Sequence, residues 1–379
     1  MIFRYLRLTL LLSLPIIAAA QPDSIRFKLS FTGDFRFRIE QDWDSRKSDG
    51  SYRDDRTRLR YRLRFGFNYQ YNQWASFGMR LRTGSAKHQQ DPQVTLGTGS
   101  EEFGTLSVSF EKLFFQAKHN WFSGWVGKNT FPFEKQNELF WSDNVFPEGV
   151  FISGKLSGKS NALQSLQLNL GHFIVSSAGN SLNADRYFQG IQLLSTHWNN
   201  RLKVFPSFYY FHKMPDIPDG KGTYDINYSI FHLGAKIKVL ERPAISIGVD
   251  YYNNFEDLNQ KDSIPQDLRD QNQGIVMGLS LGSFQNKGDW TIQTYYTYLE
   301  RFAAVDFLAQ NDWMRWDYSS QDSPAGRLTN YHGVELLAGY VVNKQFKVNM
   351  RYFIVGQKIP YGTTKETNNR VRLDLDIGF

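Results

Sequence analysis

In the run Arg56-Thr-Arg-Leu-Arg-Tyr-Arg-Leu-Arg-Phe65, arginine occupies every even position from 56 to 64, and the odd positions from 59 onward are apolar or aromatic. A period of two sends alternate side chains of an extended chain to opposite faces. One face therefore carries five guanidinium groups, and the other carries Leu59, Tyr61, Leu63 and Phe65, continued by Phe67, Tyr69 and Tyr71. A helix would scatter both sets around its circumference. A strand that is oily on one side and charged on the other suits a wall between hydrocarbon and water.

The start of the chain points to export. Arg4 and Arg7 precede an apolar run from Leu8 to Ile17 and then Ala18-Ala19-Ala20, the three parts of a secretory signal peptide with cleavage expected after Ala20. The run is shorter than the roughly 20 apolar residues a membrane span needs, so residues 1–20 are set aside as a leader. Beyond Gln21 no stretch reaches the roughly 18 consecutive apolar residues of a transmembrane helix, which leaves a closed barrel as the way to cross a bilayer. A mean hydropathy of −0.47 with 16% aromatic residues is what alternation of apolar and polar side chains gives. The net charge of +7 invites a nucleic-acid reading, but an exported chain whose arginines alternate with lipid-type residues argues against it. With no cysteine, disulfides, thiolate metal sites and cysteine nucleophiles are excluded.

Sixteen segments show apolar residues at every second position: 27–39, 56–69, 73–83, 106–118, 121–128, 148–157, 162–173, 187–196, 200–212, 227–239, 243–253, 272–283, 288–300, 330–341, 345–355 and 370–379. Most are near the 9 to 11 residues of a tilted membrane strand. The connections alternate in length. Long ones (40–55, 84–105, 129–147, 174–186, 213–226, 254–271, 301–329, 356–369) take turns with short ones such as Gln70 to Asn72, His119-Asn120 and Leu240 to Arg242. Short turns on one rim and long loops on the other are the arrangement of an outer-membrane barrel, short side periplasmic. Residues 21–379 are expected to form one antiparallel up-and-down barrel domain of about sixteen strands.

The last strand, Arg370-Val-Arg-Leu-Asp-Leu-Asp-Ile-Gly-Phe379, sets Val371, Leu373, Leu375, Ile377 and Phe379 on one face against Arg372, Asp374 and Asp376 on the other. A closing amphipathic strand that ends in phenylalanine is similar to the signal read by the bacterial outer-membrane assembly machinery, which makes that machinery, membrane lipid and lipopolysaccharide the expected partners.

Residues 33–38 (Gly-Asp-Phe-Arg-Phe-Arg), 58–64 and 79–84 (Met-Arg-Leu-Arg-Thr-Gly) resemble the start of the bacterial "putative porin" family. So do Gly127-Lys128, Phe131-Pro132-Phe133, Trp141-Ser142-Asp143 and Pro147-Glu148-Gly149-Val150. The resemblance covers mainly residues 30–155 and the terminal strand. It implies an outer-membrane channel without catalytic machinery or cofactor.

Placed by height on neighbouring strands, Arg36, Arg38, Arg58, Arg60, Arg62, Arg64, Arg80, Arg82 and Arg372 are expected to line one side of a water-filled lumen, with Arg56 and Arg370. Such a wall concentrates anions, because low-dielectric surroundings focus its field. Pairing by Glu40, Asp54, Asp55, Asp374 and Asp376 is the competing expectation, in which the arginines only brace the wall. In sixteen-stranded porins the loop after the fifth strand commonly folds inward. Here that loop, 129–147, is rich in aromatics and carries Glu134, Glu138 and Asp143, which are expected to face the arginines across a constriction.

The seven histidines show no HExxH or other close ligand spacing, and no GxSxG turn or P-loop occurs. The reading is a passive channel for small hydrophilic solutes with an anion bias, free or as a homo-oligomer. The alternatives are a channel selective for sugars or acidic oligosaccharides, with Phe211, Tyr252 and Tyr295 as an aromatic track, and a plugged structural or adhesion barrel.

Overall fold

The computed structural model describes residues 28–379 apart from 87–88, 98–102, 159, 180, 182, 217–224, 315–327 and 361. The leader read over residues 1–20 lies outside the described residues. Because the apolar residues recur every second position, the chain forms strands rather than helices, and the helical content of the described residues is two single-turn 3-10 segments, Gln266–Leu268 and Asp306–Leu308.

The strands are β1 (Lys28–Trp43), β2 (Arg56–Gln70), β3 (Ala75–Thr83), β4 (Val94–Thr95), β5 (Val108–His119), β6 (Phe122–Lys128), β7 (Glu148–Ser157), β8 (Ser165–Ser176) and β9 (Arg186–His197). They continue with β10 (Leu202–Pro215), β11 (Asp225–Glu241), β12 (Ala244–Asn254), β13 (Gln273–Gly282), β14 (Trp290–Leu299), β15 (Tyr331–Val341), β16 (Phe346–Gln357) and β17 (Thr367–Gly378). Apart from the short β4, each pairs antiparallel with the strands before and after it, β3 directly with β5, and β1 pairs with both β2 and β17, which closes the barrel. At the seam, Phe379 donates its backbone N–H to the Gly33 carbonyl at 3.0 Å and accepts from Gly33 at 2.8 Å.

Sixteen of these strands match the sixteen segments read from periodicity, with ends displaced by a few residues. The seventeenth, β4, is a two-residue piece of the 84–105 connection that pairs with Arg60 and Tyr61, above the point where β3 ends. Two residues carry no readable period, so β4 leaves no sign in the sequence.

The burial pattern is inverted relative to a soluble protein. Leu59, Leu63 and Phe65 of β2 are exposed, whereas Arg60 and Arg62 between them are buried; Phe77, Phe115, Ile191, Leu233, Met277 and Leu336 continue the exposed apolar band. Hydrocarbon outside and polar groups inside is the pattern lipid requires, and a closed ladder leaves no unpaired sheet edge within it.

Candidate functional site

The inner face of the closing seam is a zipper of opposite charges. Facing positions of β1 and β17 bring together Arg36 and Asp376, Arg38 and Asp374, Glu40 and Arg372, and Asp42 and Arg370. The bonds are direct: Arg38 Nε donates to Asp374 Oδ1 at 2.6 Å, Arg370 Nε to Asp42 Oδ1 at 2.6 Å, and Arg372 Nε to Glu40 Oε2 at 2.9 Å. On the other side of β1, Arg58 bonds Glu40, and Arg56 Nη2 reaches Asp42 at 2.7 Å. Two carboxylates on one strand thus hold arginines from both neighbours, the cross-strand pairing that specifies register in a sheet.

Further round the wall, one carboxylate serves three guanidiniums. Arg64 lies 2.8 Å from Glu111, Arg80 bonds it, and Arg82 comes within 4.0 Å. Glu111 reaches them because β5 carries a bulge: Arg80 faces Lys112 but Leu81 faces Phe110, so Glu111 and Lys112 are two successive residues turned inward. Arg60 pairs with Asp91 from the 84–105 connection, and Arg62 with Asp34.

The pairs are not symmetric toward the lumen. Arg56 keeps 35% of its side chain accessible against 0% for Asp42 and Arg58 24% against 0% for Glu40, whereas Arg60 and Arg62 are more buried than their partners Asp91 and Asp34, and Arg36 and Asp376 are equally accessible. At Arg56 and Arg58 the carboxylates sit behind the guanidiniums, so water in the lumen meets the cations there.

Loop 129–147 occupies the inside of the barrel against the opposite wall. Phe133 fits where Gly171 and Gly190 face each other; a Cβ on Gly190 would lie 2.5 Å from its ring. Phe140 stacks on Tyr252 at 4.6 Å and on Tyr209 at 5.2 Å, and Phe131 stacks on Trp141 at 4.5 Å. With its aromatic side against this wall, the loop's polar side looks toward the arginines. Two other connections knit into it: Ser142 N–H donates to the Leu308 carbonyl at 2.9 Å, and Phe146 N–H donates to the Gln89 side-chain carbonyl; Gln90 Nε2 in turn donates to the Phe307 carbonyl at 2.6 Å and joins those two connections.

Between loop and wall lies a cavity of about 430 Å³, bounded by Arg36, Arg38, Arg56, Arg58, Arg60, Arg62, Arg64, Arg351, Arg370 and Arg372 on the basic side. Asp91, Glu138, Asp143, Asn144 and Asp312 bound it on the loop side. A second cavity of about 250 Å³, toward the short-turn rim, includes Gln293, Tyr295, Glu335 and Leu337. Both share Glu138, Asp143 and Arg351, which mark the neck between them. Burial pushes the Glu138 carboxyl above its ordinary range and the neighbouring Asp143 adds to this, while Arg351 pulls the other way. Asp312 behaves oppositely: burial opposes its charge, but Arg372 and Arg38 outweigh it and hold the carboxyl well below the usual range.

Several expected placements differ. Arg80 and Arg82 lie beside the larger cavity rather than on its wall: Arg80 sits 5.3 Å over the Phe146 ring, and Arg82 Nη1 donates to the Thr83 carbonyl at 2.9 Å. Glu134 does not face the arginines. The seating of Phe133 turns it toward Lys203, 3.1 Å away on β10. Phe211 and Tyr252 are packed into the aromatic cluster, so they form no track along open space, while Tyr295 lines the smaller cavity. The paired carboxylates include the expected Glu40, Asp374 and Asp376, and also Asp34, Asp42, Asp91, Glu111 and Asp312. For Glu111 a signal was present. The exposed apolar residues of β5 slip from even positions (Val108, Phe110) to odd ones (Leu113, Phe115), which requires one extra residue between them.

The sequence model of a family described as "putative porin" matches residues 46–225. No curated protein matches the chain in sequence. Among solved structures, Pseudomonas putida OprB at high pH is similar with a TM-score of 0.56 and 13% identity, over 93% of this chain and 94% of that one. Salmonella typhi OmpF in complex with daunomycin is similar with a TM-score of 0.55 and 12% identity, over 93% and 98%. A loop-deletion form of OmpT, an outer membrane protein of Vibrio cholerae, gives 0.53 and 12%, over 93% and 99%. At these identities the likeness is one of fold: a closed antiparallel barrel of sixteen spanning strands.

Proposed function

We propose that this chain is an outer-membrane porin through which small hydrophilic solutes diffuse passively, with anions favoured. The family match over residues 46–225 and the shared fold support the channel and its location. The anion preference is carried by one observation: at Arg56 and Arg58 the guanidiniums stay accessible while the carboxylates that pair with them are buried behind. Among the described residues, pairing leaves eleven arginines against eight carboxylates on this wall, and at Arg56 and Arg58 the nearest charge to a passing ion is positive; a lumen between low-dielectric walls sharpens that difference.

In this reading Glu138 and Asp143 face the wall across the neck and set a transverse field that orients polar solutes. Arg36, Arg38, Arg58, Arg60, Arg62, Arg64 and Arg372 line the pore, and Arg80 and Arg82 hold the carboxylate of Glu111 in place. The exposed Phe379 ring at the short-turn rim is the feature available to the assembly machinery.

Solute uptake into liposomes containing the purified protein tests the reading. Uptake of neutral sugars that falls with size and does not saturate is expected for a passive pore. Saturation by one sugar supports a selective channel instead, and no uptake of any solute supports a plugged barrel.

A further inference from the structure

Beneath the aromatic layer of loop 129–147 lies a buried polar chain that the pore reading does not use. Ser207, His232 and Asp250 point inward from β10, β11 and β12, with Ser207 Oγ 3.3 Å from His232 Nδ1 and His232 Nε2 3.0 Å from Asp250 Oδ1. The order of groups is that of a hydrolytic triad, but its connections are different. Gln192 Nε2 donates to Ser207 Oγ at 2.9 Å, and the hydroxyl has the Phe205 carbonyl at 3.3 Å as its acceptor. All three residues are buried under the loop. A hydroxyl committed in this way is not an activated nucleophile.

Both ends of the chain finish on the backbone of the loop. Gln192 accepts from the Glu134 N–H at 2.8 Å and donates to the Glu134 carbonyl at 3.0 Å, and Asp250 Oδ2 accepts from the Gln136 N–H at 2.9 Å. The Gln136 amide also donates to the Ala235 carbonyl at 2.8 Å, and it fills the place of a side chain at Gly248, where a Cβ would lie 2.3 Å from Gln136 Oε1. Within three residues, loop 129–147 is thus fixed to four consecutive strands.

We infer that Gln192, Ser207, His232 and Asp250 form a latch that holds loop 129–147 against the β9–β12 wall and so fixes the width of the neck at Glu138 and Asp143. These are positioning residues: Gln192 and Asp250 bond the loop backbone, Ser207 and His232 connect those two, and none of the four lines the open cavity. The inference rests on the porin reading for its consequence, the pore width, and on geometry alone for the latch. A buried amide whose acceptor is removed pays its full desolvation cost, so the loop should detach locally long before the barrel unfolds.

The test uses full-length protein folded in detergent, with the variants Asp250→Ala, Gln192→Leu and Gly248→Val. Retention of the barrel is checked by its resistance to unfolding on unheated gels. Amide hydrogen exchange at residues 134–137 should rise by at least roughly tenfold in each folded variant, the scale of one hydrogen bond to a charged acceptor, with the amides of β9–β12 unchanged. In planar bilayers the same variants should show a noisier, larger conductance than the parent. Gly248→Val leaves every polar group intact and serves if Asp250→Ala does not fold. Folded variants with unchanged exchange at 134–137 overturn the latch. A parent that does not conduct, with exchange raised in the variants, overturns the porin reading and leaves the latch standing.

Discussion

The two halves of the lumen are held by different physics. From β17 through β1 and β2 to β5, the inner face is arginine braced by buried carboxylates, and register is set by which charge faces which. From β8 to β12 the inner face is aromatic, with glycines that leave room for a loop, and what it fixes is not the neighbouring strand but residues 131–141. The first wall must stay in place because moving it strands charge. The second holds a connection rather than a neighbouring strand, so it can be vacated without breaking the strand ladder. On the proposed reading, a barrel built this way has a rigid selective side and an adjustable side.

The largest effect that would break this contrast is at Glu111. Glu111→Gln removes the carboxylate shared by Arg64, Arg80 and Arg82 and should cost about 3–5 kcal/mol of barrel stability, seen as unfolding at clearly lower denaturant. Unchanged stability would mean that these arginines are solvated rather than braced. Next is Phe140→Ala, which removes the ring between Tyr209 and Tyr252. A loss of about 3–5 kcal/mol should fall on the loop and not on the barrel. Conductance should rise with the unfolding midpoint nearly constant; a lower midpoint with unaltered conductance would show that the loop is part of the barrel's core.

Much of this was legible in the chain itself. The arginine ladder of 56–64 and the terminal strand place the basic wall, and the aromatic content of 129–147 sends that loop inward. What escaped depends on partners far away in sequence. Asp91 and Asp312 sit in long connections without period, so nothing local says that they meet Arg60 and Arg372. Glu134, Glu138 and Asp143 share one loop, and only the seat of Phe133 between Gly171 and Gly190 decides that the first turns to Lys203 and the other two to the neck. The Glu111 bulge is the intermediate case, written as a slip in the apolar period.

A smaller effect sharpens the contrast at the neck. With its carboxyl raised by burial and by Asp143, Glu138 should take up a proton as pH falls, starting above the ordinary glutamate value of about 4.3, whereas Asp312 stays ionised. The neck then loses one negative charge, and preference for anions should grow between neutral and mildly acidic pH; a Glu138→Gln variant should have that preference at neutral pH and lose the dependence. Smallest of all is the exposed pair of Arg201 and Glu241, 3.3 Å apart near the short-turn rim. Arg201→Ala should change stability by no more than about 1 kcal/mol and leave conductance alone, which calibrates the other variants.

On the proposed reading, cations are what the lumen shows to a passing ion. The reversal potential of single channels across a potassium chloride gradient reads this directly, in the parent and in Arg36→Gln, Arg56→Gln, Arg58→Gln combined. The parent should favour chloride and the triple variant should shift toward potassium. A parent that favours potassium, or a triple variant with the parent's reversal potential, would contradict it.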